Sequence, residues 1–342
     1  MPYHNLRLNI YREKDKKICL LPYHNLAVEK YLTFHVQEGQ CILYLWQNRN
    51  TVVIGKNQNP HKECNIEKLT EDGGYFVRRL SGGGAVYHDL GNLNFTFCVR
   101  KPDYDVSRQL DVILRAVTSL GVPAEKTGRN DLTAEGRKFS GNAFYKSGEF
   151  CYHHGTLMMD VDREKLSRYL HVDPEKLKGK GVDSVRSRVV NLKEYCPQIT
   201  ADLLADSLTE AFSEVYGLPA EELDGSFFSE DAKEEIRKDT EFFSFREWLY
   251  GRNLPFTHRL SGRFAWGGIE ILLQVNRETV EDCICHTDAM DPELAEKVSS
   301  CLRRCPYTRE ELIAALERSA AFSAEQRRQV SDTIKLLENE SC

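Results

Sequence analysis

The chain has 342 residues, of which 41% are hydrophobic and 29% charged, and a net charge of -6. Interspersed signs without a basic excess argue against a nucleic-acid binder, and no apolar run approaches the roughly 18 to 20 residues that span a bilayer. The length exceeds one typical core, so a large domain with a smaller companion is expected.

The start, Met1-Pro2-Tyr3-His4-Asn5-Leu6-Arg7, lacks the apolar core of a signal peptide and predicts a cytoplasmic protein. Eleven cysteines, odd in number and without regular spacing, read as reduced thiols that mostly serve as small core residues.

Over the first 250 residues helical and extended patterns alternate. A helix is expected over Asn25 to Val36. Two short β-branched and aromatic runs follow, Cys41 to Trp46 and Thr51 to Gly55, and their polar spacer Gln47-Asn48-Arg49-Asn50 reads as a hairpin. Tyr75 to Leu80 and Leu93 to Val99 are predicted strands flanking a glycine run.

Asp105 to Leu120 places Val106, Leu110, Ile113, Leu114 and Val117 at helical spacing, and Gly121 with Pro123 ends the helix. Gly128, Gly136, Gly141, Gly148 and Gly155 punctuate the stretch from Glu125 to Met159 into hairpins. Helices are expected at Arg163 to Leu170 and Ala201 to Tyr216. A charged helix from Glu230 leads to a linker at Asn253-Leu254-Pro255.

One domain is therefore expected over 1–250 and a second over 255–342. The second combines a hairpin pattern at Arg263 to Thr279 with amphipathic helices at Pro292 to Leu302, Thr308 to Arg318 and Ser323 to Leu337.

The run Arg78-Arg79-Leu80-Ser81-Gly82-Gly83-Gly84-Ala85-Val86-Tyr87-His88-Asp89 needs a physical reason. Each glycine costs roughly 0.5 to 1 kcal/mol relative to Ala in a regular element. Bare backbone lets N–H groups reach anionic oxygens, with arginines upstream supplying fixed charge. The plain alternative is a glycine-rich surface turn. Neither a GxGxxG fingerprint nor a GxxxxGK[ST] loop occurs, so any nucleotide site is of another kind.

This run, continued by Gly91-Asn92, resembles the signature of lipoate–protein ligases. Val53-Ile54-Gly55-Lys56-Asn57-Gln58-Asn59-Pro60 precedes it. Gly128-Arg129-Asn130-Asp131-Leu132, Arg137-Lys138-Phe139-Ser140-Gly141-Asn142-Ala143, His153-His154-Gly155-Thr156-Leu157 and Gly181 to Leu192 follow in the family's order. Gly262-Arg263-Phe264-Ala265-Trp266-Gly267-Gly268-Ile269-Glu270 extends the likeness into the C-terminal region.

The resemblance implies an α/β (α+β) fold: a biotin/lipoate-ligase-like catalytic domain of mixed β-sheets with flanking helices, plus a small α/β accessory domain. It also implies a two-step reaction. Lipoate and ATP, with Mg²⁺, give lipoyl-AMP, and a lysine of an apo lipoyl domain then takes the acyl group. Implied acceptors are lipoyl domains of 2-oxo acid dehydrogenase acyltransferase subunits and the glycine cleavage H protein. A monomer that binds neither nucleic acid nor membrane is expected.

The resemblance makes Lys138 the catalytic residue. It assigns lipoyl-AMP binding to Arg78, Arg79, Ser81, Gly82, Gly83, Gly84, Ala85, Val86, Tyr87, His88, Asn130, Asp131, Lys138, Ser140, Gly141, His154 and Gly155. Asp131 is also the candidate Mg²⁺ ligand, with action on the incoming amine as an alternative and capping of a turn with Asn130 as its plainer role. A permanent cation between a carboxylate and a polyphosphate has greatest value in the transition state, which is the chemical reason for Lys138.

His153 and His154 point to opposite strand faces, so only one can enter a common site. Cys283, Cys285 and His286 with Cys301 and Cys305 form a possible metal cluster by spacing, but the reaction needs no zinc and buried thiols are expected. The rival reading is a lipoyl or octanoyl transferase of the same fold without its own adenylation step. In those relatives a cysteine nucleophile lies in the loop upstream of the lysine, whereas residues 121 to 150 here contain no cysteine.

Overall fold

The computed structural model describes residues 6–13, 20–127, 131–171 and 189–338. Up to Tyr250 the chain runs through β1 (Arg7–Arg12), α1 (Pro22–His35), β2 (Gln40–Trp46), β3 (Thr51–Ile54), α2 (Pro60–Glu63), α3 (Ile66–Glu71), β4 (Tyr75–Arg78), β5 (Val86–His88), β6 (Asn92–Arg100) and α4 (Val106–Ser119). There follow β7 (Ala124–Thr127), β8 (Asp131–Ala134), β9 (Arg137–Ser147), β10 (Phe150–Met158), α5 (Arg163–Tyr169), α6 (Ala201–Tyr216), β11 (Ala220–Leu223), α7 (Glu230–Ser244) and α8 (Arg246–Tyr250). Beyond them lie β12 (His258–Phe264), β13 (Gly267–Asn276), β14 (Thr279–Thr287), α9 (Leu294–Leu302), α10 (Arg309–Arg318) and α11 (Ala324–Glu338).

Contacts divide the chain into two units. The first holds residues 1–53, 63–78 and 86–249, and the second holds 54–62, 79–85 and 250–342. The chain passes from the first unit to the second between Leu249 and Tyr250. Two stretches distant in sequence, including most of the glycine run, group with the second unit.

In the first unit an eight-stranded sheet has the order β11-β1-β2-β6-β10-β9-β8-β7. β1 is parallel to β2 and β11, and β2 to β10 pair antiparallel through β6. The two faces of this sheet differ in chemistry. One carries Leu43, Leu45, Phe95, Phe97 and Val99 against Leu110, Ile113 and Val117 of α4 and Leu204, Leu208 and Phe212 of α6, forming the main core. Asp105 caps α4 by accepting from the Arg108 N–H, the interaction that fixes where an amphipathic helix begins.

The opposite face is polar, with Tyr44, Thr96 and His154 in one row across β2, β6 and β10, and Trp46, Asn94 and Thr156 in the next. Glu29 and Thr33 of α1 meet this face: Glu29 bonds Thr96 and His154, and Thr33 lies against Cys98.

The hairpin expected of Cys41–Trp46 and Thr51–Gly55 is not formed. β2 pairs with β1 and β6, whereas β3 belongs to a separate sheet of order β4-β3-β5. Every residue of β2 is buried, so it needs strand neighbours on both edges. The polar spacer carries the chain between sheets, held by Asn25, which donates to the Gln47 carbonyl and the Asn48 side chain.

The second unit has its own sheet, β12-β13-β14, packed on α9 to α11 through Leu260, Ile271, Leu273, Val298, Leu312 and Leu337. The hairpin predicted at Arg263 to Thr279 is displaced: those residues hold one full strand, β13, which pairs with β12 before it and β14 after it.

Candidate active site

Lys138 owes its direction to an irregularity in β9. Leu132 pairs with Ser140 but Thr133 pairs with Lys138, so β9 contributes one extra residue, Phe139. Such a bulge re-aims side chains. Phe139 enters the core, while the Lys138 stem turns to the Gly141 face: Cε and Nζ lie 3.4 and 3.5 Å from where a Gly141 Cβ would stand. The Lys138 carbonyl accepts from Val190 N–H at 2.9 Å, so the tail of the Gly181 to Leu192 motif anchors the lysine's backbone. Asn191 ties that tail to Val161 by two bonds.

The two adjacent histidines separate as strand geometry requires. His153 is fully buried on the helix side among Phe95, Phe97 and Phe144, with Nδ1 3.1 Å from Gln109 and Nε2 2.9 Å from Asn142. Burial, with the neighbouring His154 charge adding to it, pulls its pKa down to about 3. It is a neutral core residue at physiological pH. A neutral ring donates from one nitrogen and accepts at the other, so one of the two amides must meet it with its NH₂ group.

His154 occupies the polar face, where its Nδ1 lies 2.8 Å from Glu29 Oε1. Thr96 donates to the same carboxylate oxygen and accepts from Trp46 Nε1. A carboxylate on Nδ1 fixes the tautomer and orientation of the ring. Glu29 and Thr96 are functional candidates that sequence reading missed. The available signal was a glutamate set among the apolar residues Leu26, Val28 and Leu32 of α1.

Gly155 and Ser140 lie toward the helix side. A Cβ on Gly155 would stand 2.6 Å from Phe95 Cζ and 2.7 Å from Asn142 Oδ1, so this glycine makes room for the core. Ser140 is fully buried near Asn142. Asn130 and the Asp131 side chain lie outside the described residues, as does the stretch from Gly181 to Arg188.

The arginines do separate work. Arg78, in the first unit, is buried and donates to the Trp248 and Leu249 carbonyls, capping the end of α8. Burial pulls its pKa down to about 10, which leaves it charged at neutral pH. Arg79, in the second unit, turns back on the glycine run: Nε donates to Ser81 Oγ at 3.0 Å, and Nη2 to the Gly82 and Gly84 carbonyls at 2.7 and 2.8 Å. Gathering carbonyls at one cation leaves the loop's amides directed elsewhere.

Gly83 has φ +89°, a left-handed conformation that favours glycine, and its N–H donates to the Ala289 carbonyl at 2.9 Å. A Cβ on Gly82 would stand 2.3 Å from that same oxygen. Asp288 sets the height of this turn by accepting from Gly268 N–H and facing Arg263. Gly84 has open space around its Cβ position. Ala85 follows, and Val86, Tyr87 and His88 form β5 of the first unit. Tyr87 donates to Asn50, and His88 Nδ1 lies 3.2 Å from the Asn48 amide. Asp89 holds a turn, accepting from the Gly91 and Asp162 N–H groups.

Among the described residues no group of three or more His, Cys, Asp or Glu is placed to hold a metal ion. Cys283 and Cys285 are buried in the second unit's core, where burial raises both thiol pKa values. No helix among the described residues is long and apolar enough to cross a membrane.

A mixed sheet with a lysine re-aimed onto its polar face, followed by a small α/β unit, defines the class. Residues 21–213, more than half of the chain, match the lipoyl protein ligase A/B catalytic domain, and residues 253–334 match the bacterial lipoate protein ligase C-terminus. The chain belongs to this lipoate–protein ligase family.

LipL1 of P. falciparum, solved in complex with lipoate, is 26% identical over 98% of this chain and 100% of its own, with a TM-score of 0.83. The bi-partite lipoate protein ligase of Thermoplasma acidophilum, described with its E2 lipoyl domain, is 24% identical over 73% of this chain and 99% of its own, with a TM-score of 0.63. A lipoate-protein ligase A bound with ATP is 24% identical over 72% of this chain and 97% of its own, with a TM-score of 0.59.

Proposed function

We propose that the protein activates lipoate with ATP to lipoyl-AMP and transfers the lipoyl group to a lysine of an apo lipoyl domain. The observation that carries this reading is the placement of Lys138. Its ammonium lies on the polar sheet face against the bare Gly141, on a strand whose bulge serves that orientation. A cation fixed there favours the approach of a carboxylate to the α-phosphate and the charge that builds on it. In this reading the glycine run, organised by Arg79, serves the nucleotide, and Mg²⁺ accompanies its phosphates. The open space at Gly84 fits close approach of a ligand.

The acceptor lysine must lose a proton before it attacks, a cost of about 4.6 kcal/mol at pH 7 from an ordinary pKa. A thioester route gains no support from the nearby thiols. Cys98 and Cys151 are buried, and burial raises both pKa values, which suppresses the thiolate. The acceptors proposed are lipoyl domains of 2-oxo acid dehydrogenase complexes and the glycine cleavage H protein, with octanoate as a weaker-discriminated second substrate. The protein is proposed to act in the cytoplasm as a monomer.

The test is lipoate-dependent exchange of pyrophosphate into ATP, together with lipoylation of purified apo acceptor domains followed by mass. Lys138→Ala should lower adenylate formation at least about 100-fold. Near-normal exchange in that variant would remove Lys138 from the reaction. Transfer from supplied lipoyl-AMP with no exchange by the wild type would make this a transfer-only enzyme.

A further inference from the structure

The polar sheet face has two adjacent rows that differ in how completely their hydrogen bonds are used. In the row of Tyr44, Thr96 and His154, Thr96 accepts from Trp46 and donates to Glu29, and His154 meets the same carboxylate. The hydroxyls of that row are already engaged, Tyr44 donating to Asn25 and Thr96 to Glu29. In the next row Asn94 of β6 stands directly opposite Thr156 of β10, and both retain donors.

Thr156 Oγ1 accepts from Gly141 N–H at 3.2 Å. A hydroxyl has one donor and two lone pairs, so a lone pair spent on Gly141 leaves the O–H to donate away from β9. Branching at Cβ holds the threonine in few rotamers. Its oxygen stands 3.7 Å from the position of a Gly141 Cβ, the same point that Lys138 Nζ approaches to 3.5 Å. Gly141 does not have the positive φ that would require glycine, and a methyl would meet only ordinary contacts there. Its bareness leaves a spot flanked by an ammonium and a hydroxyl.

Asn94 provides an independent observation. It is 1% exposed, its Oδ1 accepts from Asn92 at 2.8 Å, and its Nδ2 is buried without a hydrogen-bond partner among the described residues. A buried, unused N–H₂ costs roughly 1 to 3 kcal/mol unless a ligand meets it. Cross-strand partners stand about 4.5 to 5.5 Å apart at Cβ, so one small group can reach both.

We propose that Thr156 and Asn94 form a donor pair that takes the carboxyl oxygens of the acyl substrate beside Lys138. This inference rests on the acyl-activating reading above and adds to it the residues that orient the acid. Two neutral donors hold the carboxyl in place while the lysine supplies charge, so the carboxylate reaches the phosphate in one orientation.

The experiment is calorimetric binding of lipoate to the full chain without nucleotide, paired with steady-state exchange kinetics. A hydrogen bond to a charged group corresponds to about 10-fold or more in affinity. Thr156→Val and Asn94→Asp should each weaken lipoate binding at least about 10-fold and leave the KM for ATP within about 2-fold. Thr156→Ser should restore most of the affinity. Gly141→Ala, which fills the spot without demanding a strained backbone, should weaken lipoate binding with an unchanged melting temperature. Lipoate affinities within about 2-fold of wild type in folded Thr156→Val and Asn94→Asp would overturn the inference. Wild-type protein that neither binds lipoate nor catalyses exchange would instead remove the functional reading itself.

Discussion

His153 offers the most quantitative test of how this fold is held. Its ring is fully buried and its pKa lies at about 3, whereas an unfolded histidine titrates near 6.5. Between these values the unfolded chain binds the proton and the folded chain does not. The stabilising contribution is therefore complete above about pH 6.5 and is lost as the pH falls toward 3. The full span corresponds to roughly 5 kcal/mol, and a fall from pH 8 to pH 5 should remove about 2 kcal/mol.

His153→Phe keeps the aromatic packing and abolishes the titration, at the cost of stranding Gln109 and Asn142. The variant should be less stable at pH 8 by roughly 2 kcal/mol or more, yet its stability should decline less steeply with acid. Urea unfolding followed by tryptophan fluorescence measures this. Trp266→Phe in the background leaves Trp46 and Trp248 as reporters of the first unit. Parallel pH profiles for the wild type and His153→Phe would refute the assignment of a neutral, proton-excluding histidine.

Other expectations follow from single contacts. Arg79→Lys removes the planar fork that gathers the Ser81 hydroxyl and two glycine carbonyls; the KM for ATP in the exchange assay should rise about 10-fold or more, and an unchanged value would separate loop order from nucleotide binding. Arg78→Leu strands the carbonyls at the end of α8 and should cost roughly 2 to 4 kcal/mol in urea unfolding, and an unchanged unfolding midpoint would refute the capping role. Gly155→Ala drives a methyl against Phe95 and the Gly141 carbonyl, so a loss of roughly 1 to 3 kcal/mol is expected by the same measurement.

Elements whose sequence pattern is local were legible in advance. The amphipathic spacing and Gly121 stop of α4 and the bounds of α6 follow from periodicity and capping. The glycine run and Lys138 stood out because three bare residues and a lysine between hairpin glycines invite a chemical reason. What periodicity could not convey was partnership between distant strands. β2 and β3 are neighbours in sequence yet belong to different sheets, a consequence of β2 being buried on both edges and faces. Nor could a motif assign reasons to its own members. Arg78 and Arg79 are adjacent, but one caps a helix and the other organises a loop. Gly155 makes room for Phe95, Gly82 for the turn at Ala289, and Gly141 for Lys138. The bulge at Phe139 is a register effect between two strands, and no count along one strand reveals it.

The parallel pairing of β1 with β11 joins residues 8–11 to residues 220–223, and Arg78 is capped onto carbonyls at 248 and 249. During synthesis, then, the first strand emerges long before the edge that completes it, and the sheet carrying Lys138 receives its last strand only once Leu223 has left the ribosome. A chain cut at residue 213, where the catalytic family match ends, would leave the edge of β1 bare and α1 without the α7 residue Asp239 that pairs with Lys30. Such a fragment would contain every sheet residue implicated in the chemistry and still lack the strand that covers β1, leaving an edge prone to pair with other chains.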